Sequence, residues 1–557
     1  MIYIKEGKPR KVSGLTSFYI NSGYNASVIE CIKESPCFSY SKKENLWEIP
    51  SCELSRILDS LTFIDDIELT LMKEEKTCAP LLKPVLQYKT KPFEHQLEAI
   101  TYSLNKDKWL LLDGAGLGKT LISIYSAEEL RKQKGIEHCL IICGIATLRA
   151  NWEKEIKKHS DLSYVTIGKK VNSKGTVSWS SIKERAEQLK NKIDEFFVIV
   201  NVESLTDDLV IDAINKSVNN FDLIIFDEMH KAKGFHASRS KNLLDIEQGK
   251  YRIGLSGTLI MNNALDSYIP LKWIDVEHST LTNFKNLYCK YGGFGGHEVV
   301  GYKNLDILKE ELESCSLRRT KDLIDLPPKT IIDEYIEMTK GHAAFYENVK
   351  KGVKEECDKI VLKPNNILAL TTRLRQATTC PSILTSNNVV STKIERCVEL
   401  VDDIIAQGDK VVIISSFKEP VYQLKKLLAQ YNPVIGTGDL DDAVVSNNID
   451  KFQTDPKYKV FIGTASKCGT GITLNAAKYM ICIDQPWTYA LYEQITDRIH
   501  RINNTEPVFI YNLICENTID VSVSRIINRK KLMSDFIIDD KADNEALEIL
   551  RDYIEGL

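Results

Sequence analysis

A chain of 557 residues is too long for one hydrophobic core, so three or four structural units are expected. Hydrophobic residues at 43% and charged residues at 27% describe an ordinary globular protein, and a net charge of −4 offers no chain-wide attraction for a polyanion, so any basic footprint must be local. Fourteen cysteines without a CxxC pair read as reduced thiols rather than zinc ligands, and the apolar runs are too short for a signal peptide or a membrane span, so a soluble intracellular protein is expected.

Residues 1–75 read as a small α+β unit. Asn25 can cap a helix over Ala26–Glu34, and a second helix fits Cys52–Ser60. Between them Phe38-Ser39-Tyr40 and Trp47-Glu48-Ile49 flank the polar turn Ser41–Asn45, a hairpin pattern. The mixed Lys/Glu/Pro segment after Lys73, up to residue 90, reads as a linker.

From residue 91 short β-branched runs alternate with amphipathic helices: Leu110–Leu112, Leu140–Cys143, Phe197–Val200, Leu223–Phe226 and Ile253–Ser256. Such alternation predicts a parallel sheet with helices on both faces. A second series follows at Val411–Ile414, Val460–Ile462, Tyr479–Ile483 and Val508–Tyr511, predicting a second α/β domain. Residues 270–400, broken by Leu326-Pro327-Pro328, read as mainly helical.

The run Asp113-Gly114-Ala115-Gly116-Leu117-Gly118-Lys119-Thr120 lies between a strand pattern and a helix pattern. A glycine loop there turns backbone N–H groups toward a helix N-terminus, where phosphates can sit. Lys119 can then reach the outer phosphates and the Thr120 hydroxyl can ligate Mg²⁺. Asp113 departs from the strict GxxxxGK[ST] pattern. The second nucleotide element is Asp227-Glu228-Met229-His230 at the end of a buried-strand pattern. Asp227 is expected to hold Mg²⁺ and Glu228 to orient the attacking water; either carboxylate alone would also serve as an acidic helix cap.

Upstream, Lys91-Pro92-Phe93-Glu94-His95-Gln96 precedes a helix, and the Gln96 amide with an aromatic ring such as Phe93 could read an adenine. Downstream, Gln494, Arg498 and Arg501 are spaced i, i+4, i+7, which predicts one helical face carrying two arginines for the charge on a γ-phosphate. A solvated basic face is the other reading of that spacing.

Taken in order, Gln96, the Asp113–Thr120 loop, the Asp227–His230 box, Ser256-Gly257-Thr258 and Gln494–Arg501 resemble the motif series of superfamily-two helicases. The form Asp-x-x-Gly-Leu-Gly-Lys-Thr resembles the Swi/Snf branch and accounts for Asp113. So do Leu148–Glu155, Ser256–Asn263, Leu317–Lys321 with Leu326–Lys329, Phe452-Gln453, Gly469–Asn475, Pro486-Trp487 and His500-Arg501-Ile502. Gly144, Leu259 and Asn503-Asn504 depart from that pattern, while Glu228 and both arginines keep it. Tyr24-Asn25, Ile29, Lys33, Pro36, Tyr40, Trp47 and Ile49-Pro50 are similar to the HepA-related (HARP) domain, where Lys33, Lys42 and Lys43 could meet phosphates.

The resemblance implies an α/β fold of two RecA-like parallel-sheet lobes with helical insertions, plus the small α+β N-terminal domain. Its implied domains are a HARP-like accessory DNA-binding domain (1–75), a linker (76–90), lobe one (91–270), helical insertions and inter-lobe linker (271–390) and lobe two (391–557). It implies an ATP- and Mg²⁺-dependent double-stranded DNA translocase acting on branched DNA by fork regression, branch migration or strand annealing. An ATP-driven remodeller that strips a protein such as polymerase from DNA, and a nucleotide-dependent scaffold, are the alternatives. ATP would meet Phe93, Gln96, Gly114, Gly116, Leu117, Gly118, Lys119 and Thr120; DNA would meet Thr147, Asn201, Ser416, Phe417, Thr464 and Gly469, mainly through its backbone. Single-strand-binding, replication or recombination proteins are the implied protein partners, with a monomer in the cytoplasm of a bacterial or phage-infected cell, near the nucleoid, as the expected setting.

Overall fold

The computed structural model describes residues 2–13, 16–23, 25–61, 69–72, 80–114, 116–144, 146–171, 177–232, 234, 237–257, 264–292, 298–320, 326–357, 364–387, 389–469, 472–501, 506–533, 549 and 553. Tyr24, Ala115, Thr258–Asn263, Lys321, Thr470-Gly471 and Ile502–Asn504, all named above, lie outside them, as do the side chains of Thr147 and Leu148. The chain divides into two compact units, the first comprising Met1–Gly114, Gly118–Ile145 and Trp152–Arg319, the second Ala115–Leu117, Ala146–Asn151 and Thr320–Leu557.

The first unit carries a sheet of seven strands, in the spatial order Ser316–Leu317, Lys108–Leu111, Tyr251–Leu255, Leu223–Asp227, Cys139–Cys143, Phe197–Asn201 and Tyr164–Thr166, all parallel. The three central strands are buried along their whole length, as a sheet covered on both faces requires, which is why they read as unbroken apolar runs. Trp109, Tyr125, Trp152 and Phe197 are among the large side chains filling its core.

The small N-terminal part of this unit is a mixed five-stranded sheet with two helices, Ala26–Lys33 and Leu54–Leu61, over a core of Ile4, Ile20, Val28, Ile32, Trp47, Ile49 and Ile57. Asn25 caps the first helix, its side chain accepting from Ser27 and Val28 N–H, and the hairpin pairs Tyr40 with Trp47. One point of attachment among the described residues is a buried hydrogen bond from the Ser13 hydroxyl to the Glu277 carboxylate. Glu277 also accepts from Ser279 N–H at 2.6 Å, and burial pushes its pKa up.

Residues 80–90, part of the segment read as a linker, carry no helix or strand and are tied down rather than free. Val85 and Leu86 N–H groups and the Tyr88 hydroxyl all donate to one oxygen of Glu129, at 2.8–2.9 Å, and Thr90 N–H donates to Tyr125 Oη. A carboxylate buried on a helix can accept three donors at once, so a strap of mixed composition docks without an apolar face.

The second unit has six parallel strands in the order Lys329–Ile336, Val508–Cys515, Tyr479–Cys482, Val411–Ser415, Val460–Thr464 and Val434–Gly436. Two apolar clusters, one around Phe452, Phe461 and Tyr346 and the other around Ile413, Ile462 and Leu424, contain residues of the same sheet. Lys329–Ile336 is a strand that the mainly helical reading of residues 270–400 did not include: its residues are mostly half-buried, as at a sheet edge, so their apolar signal is weak. A hairpin of Cys289–Gly292 with Glu298–Tyr302 in the first unit is a second correction there.

Candidate functional site

The loop Asp113–Thr120 leaves the strand Lys108–Leu111 and enters the helix Lys119–Lys134. Gly116 (φ +87°) and Gly118 (φ +85°) adopt the left-handed backbone that turns successive N–H groups to one side. At Gly118 the requirement is doubled, since a Cβ there would collide with Gln96 Nε2. Lys119 Nζ donates to the carbonyls of Asp113 (2.7 Å) and Gly114 (3.1 Å), holding the ammonium over the loop it is expected to serve. Thr120 is in the first turn of the helix and half-exposed, and Leu117 is buried.

Gln96 sits in the first turn of the helix Glu94–Asn105 and accepts from Phe93 N–H through Oε1 at 3.0 Å, with its amide nitrogen against Gly118. Phe93 is half-exposed, its ring parallel to that of His95 at 5.9 Å. An outward aromatic face beside a fixed amide is what stacking on a base and reading its edge require.

Asp227 ends the strand Leu223–Asp227, which is separated from the strand feeding the loop by Tyr251–Leu255 alone. The register sets Asp227 beside Leu255 and Leu255 beside Leu111, so loop and carboxylates emerge at one end of the sheet. The Asp227 carboxylate is buried and accepts from Trp152 Nε1 at 2.9 Å. Burial, and next the charge of Glu228, push its pKa up to about 6, against the opposing pull of the Trp152 hydrogen bond and of Lys119. Glu228 has φ +59°, an uncommon backbone for a non-glycine residue, and His230 Nδ1 lies 3.1 Å from its Oε2. A Mg²⁺ ion fits this chemistry: Thr120 and Asp227 supply hard oxygen donors, and Asp227 gains from a cation what burial takes away. Among the described residues no three His, Cys, Asp or Glu side chains converge on a metal, so such an ion would share protein and phosphate oxygens.

Asp113, the residue that breaks the common loop pattern, pairs with a distant arginine. It is fully buried and bidentate with Arg319, at 3.0 and 2.7 Å. Arg319 also donates to the His95 carbonyl and, at 3.1 Å, to Glu98. Motif spacing marked Leu317–Lys321 without revealing this pairing; a buried Asp in a glycine loop is itself the signal, because it demands a cation.

In the second unit the helix Tyr489–Thr496 carries Gln494 but stops before the arginines. This corrects the single-face reading. The chain tightens after Thr496, with Arg498 N–H bonding to Ile495 O, so i, i+4, i+7 spacing no longer applies. The two guanidiniums nevertheless converge on one segment. Arg498 donates to the Gly469 (2.5 Å) and Ile472 (3.2 Å) carbonyls, and Arg501 to Thr473 Oγ1 (2.7 Å) and Ile472 O (2.9 Å).

Of the expected DNA-contact residues, Thr147 belongs to the helix Ala146–His159 and the others lie at or just past the ends of strands and of one short helix. Asn201 ends Phe197–Asn201 in the first unit and accepts from Glu203 N–H. Ser416 and Phe417 follow the strand Val411–Ser415, whose last residue pairs with Thr464, a buried residue, and Gly469 ends the short helix Ala465–Cys468. Sequence reasoning missed the group behind Ser416. Asp484 accepts from Ser415 Oγ (2.6 Å), Ser416 N–H (3.0 Å) and Arg375 (3.1 Å), and Arg375 lies over the Trp487 ring at 4.4 Å.

Comparison with known proteins gives the class. The SNF2-related domain matches residues 95–387 and the helicase conserved C-terminal domain matches residues 392–503. The chain belongs to the SNF2-related family. It is similar to an uncharacterized ATP-dependent helicase of Mycoplasma pneumoniae, 26% identical over 80% of this chain and 42% of the relative. It is 27% identical to the DNA annealing helicase and endonuclease ZRANB3 of Bos taurus over 80% of this chain and 40% of that protein. The Drosophila melanogaster SWI/SNF-related matrix-associated actin-dependent regulator of chromatin subfamily A-like protein 1 is 23% identical over 92% of this chain and 66% of its own length. The chain thus spans less than half of the first two relatives and just under two thirds of the third. Among solved structures, a Sulfolobus solfataricus SWI2/SNF2 ATPase core in complex with dsDNA aligns with 85% of this chain and 97% of that one at TM-score 0.39 and 23% identity. Among the described residues no helix is long and apolar enough to cross a membrane.

Proposed function

We propose that this chain is an ATP-driven translocase on double-stranded DNA that remodels branched DNA by fork regression, branch migration or strand annealing. The observation that carries the reading is the meeting of the Asp113–Thr120 loop, Gln96 and the Asp227-Glu228 pair at one end of a parallel sheet. In this reading Phe93 and Gln96 take the adenine, and the backbone of Gly114, Gly116, Leu117 and Gly118 with Lys119 takes the phosphates. Thr120 and Asp227 hold Mg²⁺, which when bound neutralises charge on the phosphate oxygens. Glu228, next to Asp227 at the strand end, is assigned to orienting the attacking water. Arg498 and Arg501, with Gln494 on the preceding helix, are assigned to the charge that develops on the γ-phosphate.

Thr147, Asn201, Ser416, Phe417, Thr464 and Gly469 are assigned to DNA, gripped through its backbone and therefore without sequence preference. The N-terminal sheet is assigned the role of a HARP-like branched-DNA module within boundaries 1–75. The match to the Drosophila relative extends into residues 1–75, because 92% of the chain is more than residues 76–557 alone could supply. The annealing-helicase name of ZRANB3 supports the choice of branched DNA.

The test is ATP turnover against a panel of single-stranded, linear duplex, forked and four-way DNA. The expected result is strongest stimulation by forked or four-way DNA, with the preference lost on deletion of residues 1–75. Equal stimulation by linear and forked duplex would favour a motor that strips proteins from DNA, and turnover indifferent to every DNA would overturn the translocase reading.

A further inference from the structure

Asp113 and Arg319 are 206 residues apart and meet as a buried, bidentate pair inside the first unit. Three further contacts converge on the same place. The strand Ser316–Leu317 pairs in parallel with Lys108–Leu111, Leu112 N–H donates to Leu317 O at 2.7 Å, and Gly114 N–H donates to Arg319 O at 2.9 Å. Arg319 is the last residue of the first unit, and the chain continues from Thr320 in the second. Its third nitrogen donates to His95 O and Glu98, both on the helix that carries Gln96.

We propose that Arg319 is a positioning residue that binds the phosphate loop, the Gln96 helix and the chain leaving the first unit into one piece, so that nucleotide at the loop is felt at residues 316–336. The inference rests on the ATP reading above. A guanidinium is suited to the role because its planar fork fixes the carboxylate in angle as well as distance, which a lysine cannot do. The buried carboxylate and buried guanidinium each leave the other uncompensated if one is removed, so the pair is kept or lost as a unit. The pair also explains why this loop begins with Asp where glycine is commoner: position 113 anchors the loop through Arg319.

The experiment is hydrogen exchange on the full chain with and without ATPγS and Mg²⁺, at nucleotide concentrations adjusted to equal occupancy, in the parent, Arg319→Lys and Asp113→Asn. In the parent, ATPγS is expected to change exchange both at residues 112–120 and at 316–336. In both variants the response at 112–120 is expected to persist and the response at 316–336 to be lost. A purely structural role would lower melting temperature yet leave the 316–336 response in place, and that result would overturn the proposal. So would a parent in which nucleotide binds and 316–336 does not respond, a result that needs no variant to fold. A parent that binds no ATPγS at all would instead overturn the ATP reading.

Discussion

Trp152 donates its indole N–H to the Asp227 carboxylate at 2.9 Å, so the helix Ala146–His159 holds the acidic strand end from the side. Replacing Trp152 with Phe keeps the ring and removes the donor. A buried carboxylate that loses a hydrogen bond is destabilised in its ionised form by roughly 1–3 kcal/mol. The variant is expected to melt earlier at neutral pH and to need more Mg²⁺ for half-maximal ATP turnover. Unchanged Mg²⁺ dependence would count against Trp152 as the support of Asp227.

The same carboxylate predicts a pH dependence. Its pKa of about 6 in the folded chain lies above the unfolded value near 3.9, so the folded state favours the protonated form. The associated stability is complete below pH ~4 and is lost as pH rises toward 6, by about 3 kcal/mol in all. Asp227→Asn is neutral throughout, so its stability relative to the parent should increase from pH 4 to 6 and level off above. Denaturation midpoints across that range measure this, and a flat difference would refute it.

Glu228→Gln keeps the size and removes the charge next to Asp227. Two effects are expected: DNA-stimulated ATP turnover falls by roughly 10²–10⁴-fold, and ATP binding is retained. Loss of binding together with turnover, in a nucleotide titration, would place Glu228 in binding rather than in water activation.

Gly118→Ala meets both a left-handed backbone and the Gln96 amide. The expected cost is about 1–3 kcal/mol of stability with weakened nucleotide binding. Gln96→Ala in the same chain relieves only the collision, so the double variant should recover part of the stability and none of the adenine recognition. Full recovery by Gln96→Ala would show that backbone strain contributes little.

Ser13→Ala withdraws a donor from the buried Glu277 carboxylate and thereby loosens the N-terminal sheet. A loss of about 1–3 kcal/mol is expected, read as faster proteolysis within residues 1–61 than in the rest of the first unit. Uniform cleavage of both would argue that other contacts hold the sheet.

The inner strands of both parallel sheets were legible because burial writes itself as continuous apolar runs, and Asn25 marked its helix because an N-cap is a local event. The glycine loop Asp113–Thr120 and the Asp227-Glu228 strand end were legible for the same reason: each is a pattern within a few residues. What escaped reading depends on distant partners. Nothing in residues 80–90 announces Glu129, and nothing near Arg375 announces Asp484, 109 residues away. The spacing of Arg498 and Arg501 suggested a helix face, but the helix ends at Thr496 and the bonds to Gly469, Ile472 and Thr473 set their direction instead. Lys329–Ile336 was hidden because an edge strand shares its apolar residues with a half-exposed face.

The strap over residues 80–90 decides where a shortened version of this protein can begin. A chain starting at residue 91 would open at the first motif and look complete, yet it would leave Glu129 with one of its four hydrogen bonds, that from Gln133. A chain starting at residue 80 keeps all four. The natural cut for expressing the first sheet by itself is therefore set by the reach of one carboxylate, whose first partner is Val85, about six residues ahead of where the motifs start.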